Sequence, residues 1–394
     1  MDKSITRREF LIKSAAGAAT AGLSTTPFQA YAEKSKTLRI GYLPITDATP
    51  LLIAHAMGFF QDEGLDVTTP VRVRSWSTLS ESFMTGKFNL THMLLPIPVW
   101  MRYNINAPVK VLAWDHTNGS AVTVRQDSGI NGFADMGGRQ IAVPYWYSMH
   151  NIILQMGIEK AGLKPVIQNQ SIPLKKNEVN LFILPPSEMP LALSGNKIDG
   201  FIVAEPFNAV SEIKTGARIM RFTGDIWKNH PCCVVVMNEN VTSSNPIFTQ
   251  KAINAVVRAQ LWVTQNPEKA AKILGRDGKK YLPVSEKILL RVFKGYELSK
   301  YGKGNIPQAI LHPEWSAKRL GFQPYPYPSA TRFILRQMQK TLMEGDTEFL
   351  KKLDPDFVIN DLVDDTFVKH AIEDVGGPSK FDEIDIEHNT FDRE

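Results

Sequence analysis

Cysteine is nearly absent from this chain of 394 residues, which contains only Cys232 and Cys233. Two adjacent cysteines cannot build the disulfide framework that stabilises many small secreted domains. They open an apolar run to Met237 that predicts a β-strand, and neighbouring side chains of a strand point to opposite faces. We therefore expect two small apolar residues at these positions rather than a disulfide.

A strong excess of one charge is also missing. The chain has 45 Lys and Arg residues against 40 Asp and Glu residues, a formal net charge of +5. A nucleic-acid-binding domain or a polybasic membrane-binding segment would need a clearer basic excess. No apolar run reaches the length of about 20 residues that a membrane-spanning helix requires. The sequence therefore predicts a protein that neither binds nucleic acid nor spans a membrane.

Catalytic motifs are the third absence. The chain has no nucleophile elbow, no zinc-protease helix and no dinucleotide fingerprint. The glycine-containing stretch Gly275–Lys280 lacks the spacing of a phosphate-binding loop. We therefore predict a protein that holds a ligand rather than an enzyme, with no cofactor and no metal ion.

The N-terminus carries an export pattern. Thr6–Leu11 reads as a twin-arginine motif, an Ala- and Gly-rich segment follows, and Ala30–Ala32 has the small-x-small form of a cleavage site. Residues 1–32 are therefore predicted to be a signal peptide, and the protein is expected in the periplasm.

Strands and helices alternate along the remaining chain, which indicates an α/β fold. The apolar run Phe201–Ala204 is too short for a helix and predicts a strand buried on both faces. Glu205 follows at the carboxyl end of this strand, which is where open α/β sheets bind their ligands.

The length exceeds what one hydrophobic core usually supports, so two lobes are expected. We place the first lobe at residues 37–123 and 237–350, and the second at residues 124–236, each built on a mostly parallel sheet flanked by helices. The ligand would lie in the cleft between them. Residues 351–394 form a C-terminal extension whose acidic tail we expect to be partly disordered.

Two ordered motifs carry a family resemblance. Ile198–Asn208 and Gly224–Pro231, together with a strand–helix–strand opening at residues 37–67, resemble the nitrate- and bicarbonate-binding solute receptors of the nitrate–sulfonate–taurine class of ABC transporters. The resemblance implies a type II periplasmic binding protein that captures a small oxyanion. Nitrate comes first, with bicarbonate, cyanate or a sulfonate next. It also implies a membrane permease as partner and a monomeric receptor.

The resemblance carries a set of ligand-binding residues. Lys228 would supply positive charge, Trp76 an indole N–H, and His150 a donor at the start of a helix. Glu205 would be protonated, paired with Lys228 or beside a metal ion. The complete predicted set is Trp76, Asn118, Gly119, Ser120, His150, Glu205 and Lys228.

Two positions depart from the family pattern. Ser120 stands where the nitrate and bicarbonate receptors have a glutamine, so the side chain is shorter on that side. The family's small glycine–threonine loop is replaced by the aromatic run Tyr145–Tyr147. These bulky rings would fill the pocket or stack on a larger, flatter ligand.

Three alternatives follow from these observations. The ligand could be a flat heteroaromatic or pyrimidine-type nutrient stacked on Trp146 and Tyr147. The same scaffold also serves an enzyme of thiamine-pyrimidine synthesis, which would need a reactive cluster such as His92, His116 and His150. The third hypothesis is a sensor lobe that signals to a membrane kinase.

The export motif gives the first prediction. Changing Arg7 and Arg8 together to Lys should leave unprocessed precursor inside the cell, because twin-arginine export depends on that pair. Immunoblotting of periplasmic and cytoplasmic fractions measures this. A mature chain beginning near Glu33 in the periplasm of the double variant would contradict the assignment.

Overall fold

Two mixed β-sheets organise the protein in the computed structural model, which describes residues 37–295, 297–315 and 318–381. The predicted signal peptide and residues 382–394 lie outside this range. The strands are β1 Thr37–Leu38, β2 Ile40–Tyr42, β3 Asp66–Val67, β4 Val71–Arg72, β5 Leu90–Leu94, β6 Val109–Trp114, β7 Thr117–Asn118, β8 Ser120–Val124, β9 Gln140–Val143, β10 Lys164–Val166, β11 Glu178–Ile183, β12 Gly200–Ala204, β13 Arg218–Phe222, β14 Cys233–Asn238 and β15 Leu320–Gly321.

Helices flank both sheets. Their bounds are Thr49–Ala56, Phe59–Asp62, Trp76–Met84, Pro96–Asn104, Met149–Lys160, Met189–Ser194, Phe207–Thr215, Glu239–Ser244, Pro246–Gln265, Pro267–Leu274, Glu286–Phe293, Leu298–Tyr301, Pro328–Met338, Glu348–Lys351, Pro355–Leu362 and Thr366–Asp374. None of these described helices is long and apolar enough to cross a membrane.

The first lobe is built on a five-stranded sheet with the order β4-β2-β5-β14-β6. Strands β4, β2 and β5 run parallel, whereas β14 is antiparallel to both of its neighbours. The second lobe is built on a six-stranded sheet with the order β10-β11-β9-β12-β8-β13. Here β8 is antiparallel to β12 and β13, and the other pairs are parallel. Both sheets are therefore mixed: parallel and antiparallel pairs are equal in number in the first, and parallel pairs are the majority in the second.

The chain passes between the sheets earlier than the sequence analysis placed the crossings. Strand β8, at residues 120–124, was expected to end the first lobe but lies in the six-stranded sheet. Strand β14 begins at Cys233, and all of it lies in the five-stranded sheet. Hydrophobic patterning identifies a buried strand, but it does not reveal which sheet the strand joins. The two lobe boundaries were therefore predicted a few residues too late in the chain.

The described part of the C-terminal extension, residues 351–381, packs on the first lobe, whereas most of the acidic tail for which disorder was predicted lies outside the described residues. The helix Thr366–Asp374 packs on the long helix Pro246–Gln265, and Val363 makes a β-bridge to Val111 of strand β6. Phe381 is buried in the same apolar cluster. Residues 351–381 therefore belong to the first lobe, because their apolar faces complete its core.

A cleft of about 250 Å³ opens between the lobes. On one side lie the loop after β2, residues 43–45, and the segment Arg72–Arg74. On the other side lie Pro186, Ser187 and Phe207. The carboxyl end of β2 and the start of the helix after β12 thus face each other, which is the arrangement expected for a ligand site in this fold class.

Candidate functional site

A cluster of buried polar side chains lies behind this cleft, between the two sheets. Every member is at most 3% exposed, and four of them lie in segments that follow a strand: Asp47, Asp115, His116 and Thr223. We refer to these residues as the interlobe polar cluster: Asp47, Trp76, His92, Asp115, His116, Ser120, His150, Thr223, His230, Cys232 and Cys233. Polar groups this deeply buried are costly unless they find partners, so such a concentration indicates a functional site.

The second-lobe half of the cluster centres on Ser120 and His150. The Ser120 hydroxyl lies 2.9 Å from His150 Nε2. His150 stands in the first turn of the helix Met149–Lys160, where the Ser148 hydroxyl caps the helix by accepting from the Asn151 amide. Behind this pair, His230 Nε2 lies 2.8 Å from the Thr223 hydroxyl, which donates to the Ser120 carbonyl. The sequence analysis had named Ser120 and His150, and the structure brings them together.

Burial keeps these imidazoles neutral. It lowers the pKa of His150 to about 3 and that of His230 to about 4. Both rings are therefore uncharged at neutral pH and act as hydrogen-bonding groups instead of cations.

The first-lobe half is formed by Trp76 and His92, whose rings meet edge to face at 5.5 Å. His92 Nε2 accepts from the Leu43 amide, so the proton of its neutral ring is on Nδ1. Burial lowers the pKa of His92 to about 3. Trp76 Nε1 is buried and has no hydrogen-bond partner among the described residues, although an indole N–H can only donate.

Two carboxyl groups occupy the middle of the cluster. Burial, with the charge of Glu205 as a lesser cause, raises the pKa of Asp47 to about 8. Burial and the neighbouring Asp47 also raise the pKa of Asp115 well above its usual range. Both groups therefore tend to hold a proton at neutral pH, unless a cation stands beside them.

The prediction of two buried cysteines without a disulfide is confirmed, but the prediction that their side chains point to opposite faces was wrong. Cys232 precedes strand β14, so the alternation of side chains does not extend to it. Both sulfur atoms approach the same carboxylate oxygen: Asp47 Oδ2 lies 3.2 Å from Cys233 Sγ and 3.9 Å from Cys232 Sγ. The two thiols are free, and each is fully buried.

Asn118 and Gly119 shape the turn between β7 and β8. Both have positive φ, at 57° and 78°. A Cβ on Gly119 would stand 2.8 Å from a Leu320 methyl carbon and 3.1 Å from the His116 ring. The Asn118 amide donates to the Lys318 carbonyl at 2.7 Å. These two predicted ligand-binding residues thus position His116 and Ser120, and Gly119 permits a close approach that another residue would block.

Glu205 has a different partner from the one expected. Arg319 Nε donates to Glu205 Oε1 at 2.9 Å, and both side chains are 1% exposed. The other carboxylate oxygen accepts from the Ala209 amide in the following helix. Pairing with Lys228 was one of the three states considered for Glu205, and the structure shows a buried pair with Arg319 in its place.

Lys228 itself is half-buried, between Trp227 and Asn229. Within the described part of the chain, no hydrogen bond or ion pair of its ammonium group is found. Its predicted role as the cation of the site remains a prediction.

The aromatic loop packs between the lobes. Tyr147 lies 5.7 Å from Trp100 and 6.3 Å from Phe349 between ring centres. Trp146 Nε1 donates to the Glu344 carboxylate at 3.2 Å. These rings are engaged by protein on several sides, so the structure gives no support to a flat ligand stacked on them.

The histidines considered for an enzyme do converge, because His116 interacts electrostatically with His92, His150 and His230. Ser120 and His150 also stand in hydrogen-bonding reach, as a nucleophile and its base would. However, His150 Nδ1 has no hydrogen-bond partner among the described residues, so the third group that orients the base in a triad is not found there.

Comparison with known proteins establishes the family. The model of the NMT1-like family matches residues 31–275, more than half of the chain. This chain belongs to the NMT1-like family.

The relatives described next match this NMT1-like protein in sequence, and their names are those of transport proteins. It is 28% identical over 321 residues to the nitrate/nitrite binding protein NrtA of Nostoc sp. PCC 7120, covering 76% of this chain and 69% of that one. It is 23% identical over 319 residues to the nitrate import ATP-binding protein NrtC of Synechocystis sp. PCC 6803, but spans only 46% of it.

Solved structures show the fold. The periplasmic nitrate-binding protein NrtA from Synechocystis PCC 6803 matches with a TM-score of 0.70 and 19% identity, covering 88% of this chain and 91% of that chain. The alkanesulfonate-binding protein SsuA from Xanthomonas axonopodis pv. citri, bound to MOPS, matches with a TM-score of 0.59 and 14% identity, covering 77% and 92%. The predicted two-lobed α/β fold of periplasmic binding proteins is confirmed.

Several members of the cluster were missed by sequence reasoning. Asp47 lies in the Pro-Ile-Thr-Asp loop after β2. A loop at the end of a strand is a usual place for a ligand site, but Asp47 was not predicted as a site residue. Asp115 follows β6 in the same way. Arg319 gave no signal, because its partner Glu205 lies 114 residues earlier in the chain.

The buried ion pair gives the second prediction. Arg319→Met should lower the free energy of unfolding by about 3–5 kcal/mol, because it leaves the Glu205 carboxylate buried without its cation. Chemical denaturation followed by circular dichroism measures this. The matched control is Arg332→Met, whose partner Asp356 is 65% exposed, and which should cost at most about 1 kcal/mol. Equal losses in the two variants would show that burial of the Glu205 pair has no energetic consequence.

Proposed function

We propose that this protein is the secreted substrate-binding protein of an ABC importer, and that it captures a small oxyanion between its two lobes for delivery to a membrane permease. Nitrate is the first candidate, with bicarbonate, cyanate or a sulfonate as alternatives. We expect the receptor to act as a monomer without enzymatic activity.

One observation carries the choice of ligand. Trp76 Nε1–H is a buried donor without a partner in the described structure, and it lies in the same cluster as the hydroxyl of Ser120 and the ring of His150. A donor that cannot accept is best satisfied by an oxygen atom of a ligand. Small oxyanions offer several such oxygen atoms in a volume that fits between two closed lobes.

The charge of the region is compatible with an anion. The raised pKa values of Asp47 and Asp115 keep these carboxyl groups largely neutral near pH 7, so they do not repel a bound anion as two carboxylates would. At the mouth of the cleft, Arg72 and Arg74 are exposed and would attract an anion from solution.

The relatives support the same direction. NrtA of Nostoc is named a nitrate/nitrite binding protein, and the structural neighbours include a nitrate-binding and an alkanesulfonate-binding protein. Relatives named as ATP-binding subunits of nitrate and bicarbonate transport support an ABC importer as the destination.

The third prediction tests the donor. Trp76→Phe keeps an aromatic ring but removes the N–H, and a hydrogen bond to a charged group contributes about 1.5–3 kcal/mol. Affinity for the best of nitrate, nitrite, bicarbonate and an alkanesulfonate should fall at least about tenfold in isothermal titration. Trp114→Phe is the matched control, because Trp114 Nε1 is likewise buried and without a partner among the described residues, yet its ring packs against Tyr327. A loss of equal size in both variants would point to general loosening rather than to a contact at Trp76.

The fourth prediction tests the cation. Lys228→Ala should lower anion affinity by about one to two orders of magnitude, because it removes both a charge and its hydrogen bonds. Lys228→Arg should recover part of the loss, since a planar fork replaces a point charge. The control is Lys214→Ala, which removes an exposed lysine from the helix Phe207–Thr215.

An unchanged dissociation constant in Lys228→Ala would show that the anion is held elsewhere. If wild-type protein binds none of the four anions, the oxyanion function itself is wrong. In that case a neutral ligand is expected instead, and native mass spectrometry of protein purified without additions would detect it.

A further inference from the structure

Three potential metal ligands in the interlobe polar cluster lie close together, and a fourth lies beside one of them. The sulfur atoms of Cys232 and Cys233 and an oxygen of Asp47 all lie within 4.8 Å of one another. His116 Nε2 joins them at 3.4 Å from the same Asp47 oxygen. All four side chains are fully buried.

From these positions we infer that Asp47, His116, Cys232 and Cys233 form a binding site for a thiophilic divalent cation, with Zn²⁺ as the metal that fits best. The inference does not rest on the proposed oxyanion function, because it concerns the affinity of these four side chains for a metal in the absence of any anion.

The spacing of the donor atoms agrees with tetrahedral coordination. Zinc bonds of about 2.0–2.3 Å at tetrahedral angles place neighbouring ligand atoms about 3.4–3.8 Å apart. The distances from Asp47 Oδ2 are 3.2 Å to Cys233 Sγ, 3.9 Å to Cys232 Sγ and 3.4 Å to His116 Nε2. The Asp47 oxygen is thus already at suitable distances from the other three donors. His116 is not among the donors that all lie within 4.8 Å of one another, so its ring would have to move toward the sulfur atoms to share the ion.

The donor types select the metal. Two sulfur atoms, one imidazole nitrogen and one carboxylate oxygen suit zinc, whereas calcium and magnesium prefer sites made of oxygen alone. Adjacent cysteines can serve one ion here because Cys232 lies outside the alternation of strand β14, so that both sulfur atoms face the same side.

The ligands are poorly satisfied without an ion. Neither nitrogen of His116 has a hydrogen-bond partner among the described residues, and Asp47 Oδ1 lacks one as well. Thiols are weak donors, so two of them give a buried carboxylate little compensation for lost water. A cation would be bound by the Asp47 carboxylate, the two thiolates and one nitrogen of His116, and would give each of these atoms a partner.

The backbone holds the ligands in place. The Asp115 amide donates to the Cys233 carbonyl, and the Cys232 amide donates to the His116 carbonyl, so the two ligand-bearing segments are hydrogen-bonded to each other. The turn that carries Asp47 is fixed by two bonds from Thr46, through its amide and its hydroxyl, to the Glu205 carbonyl. Ligands on such restrained segments need little rearrangement to bind an ion.

The fifth prediction is measured first on wild-type protein, without a histidine tag and kept reduced. After dialysis against a weak chelator, elemental mass spectrometry should find close to one zinc per chain, and titration of stripped protein with Zn²⁺ alone should reproduce that stoichiometry. Replacement with Co²⁺ should give the near-ultraviolet absorption of thiolate-to-cobalt charge transfer, which a purely structural role of the cysteines would not produce.

Variants then assign the ligands. Cys232→Ser and Cys233→Ser should each lower zinc affinity by more than the about 10–100-fold that loss of an outer-shell partner costs. Removal of both should abolish the cobalt band. His370→Gln is the control, because this histidine is exposed, lies outside the cluster and should leave stoichiometry and affinity unchanged.

Two results would contradict the proposed metal site. Wild-type protein that retains no zinc, binds none on titration and gives no cobalt band would overturn the inference even if every cysteine variant failed to fold. A vicinal disulfide between Cys232 and Cys233 in exported protein, detected by counting thiols after denaturation, would also overturn it. Anion binding is measured separately, so either proposal can fail alone.

Discussion

The ion pair between Glu205 and Arg319 is the interaction on which the centre of the molecule depends. Glu205 directly follows strand β12 of the second lobe, and Arg319 precedes β15, which pairs with β7. The Glu205 carbonyl also receives both donors of Thr46 from the first lobe. Removing one charge would leave the other buried without a partner. The pair therefore fixes the relative positions of three separate parts of the chain.

That geometry explains where the polar cluster comes from. The segments that follow β2, β6 and β13, together with the segment before β14, contribute members of the interlobe polar cluster. Each brings one or two polar side chains, and their separate backbone restraints keep them there. Burial lowers the pKa of the histidines, which are then uncharged, and raises the pKa of the acids, which then hold a proton. The cluster is therefore nearly neutral without fixed ion pairs among its members.

Much of this could be predicted from sequence, and the failures share a cause. The buried strand before Glu205, the two lobes and the closeness of Ser120 to His150 followed from patterns within short segments or from family motifs. Arg319 and the sheet membership of β8 did not, because they depend on pairings between distant parts of the chain. Cys232 was misplaced because a strand boundary decided its direction, and boundaries shift by a residue or two between pattern and structure.

The charge state of the cluster limits what it can hold. With Asp47 and Asp115 protonated, the space offers hydrogen-bond donors and accommodates an anion. With both ionised, their field attracts a cation, and a divalent metal would displace the thiol protons as it bound. If both proposals hold, protons, metal and anion are linked through the same two carboxyl groups, and occupancy by one would change the free energy of binding of the others. A metal at Asp47 would lie close to Ser120, whose hydroxyl is near Cys232. The positive charge of the metal would then attract the anion, a role that the sequence analysis assigned to Lys228 alone.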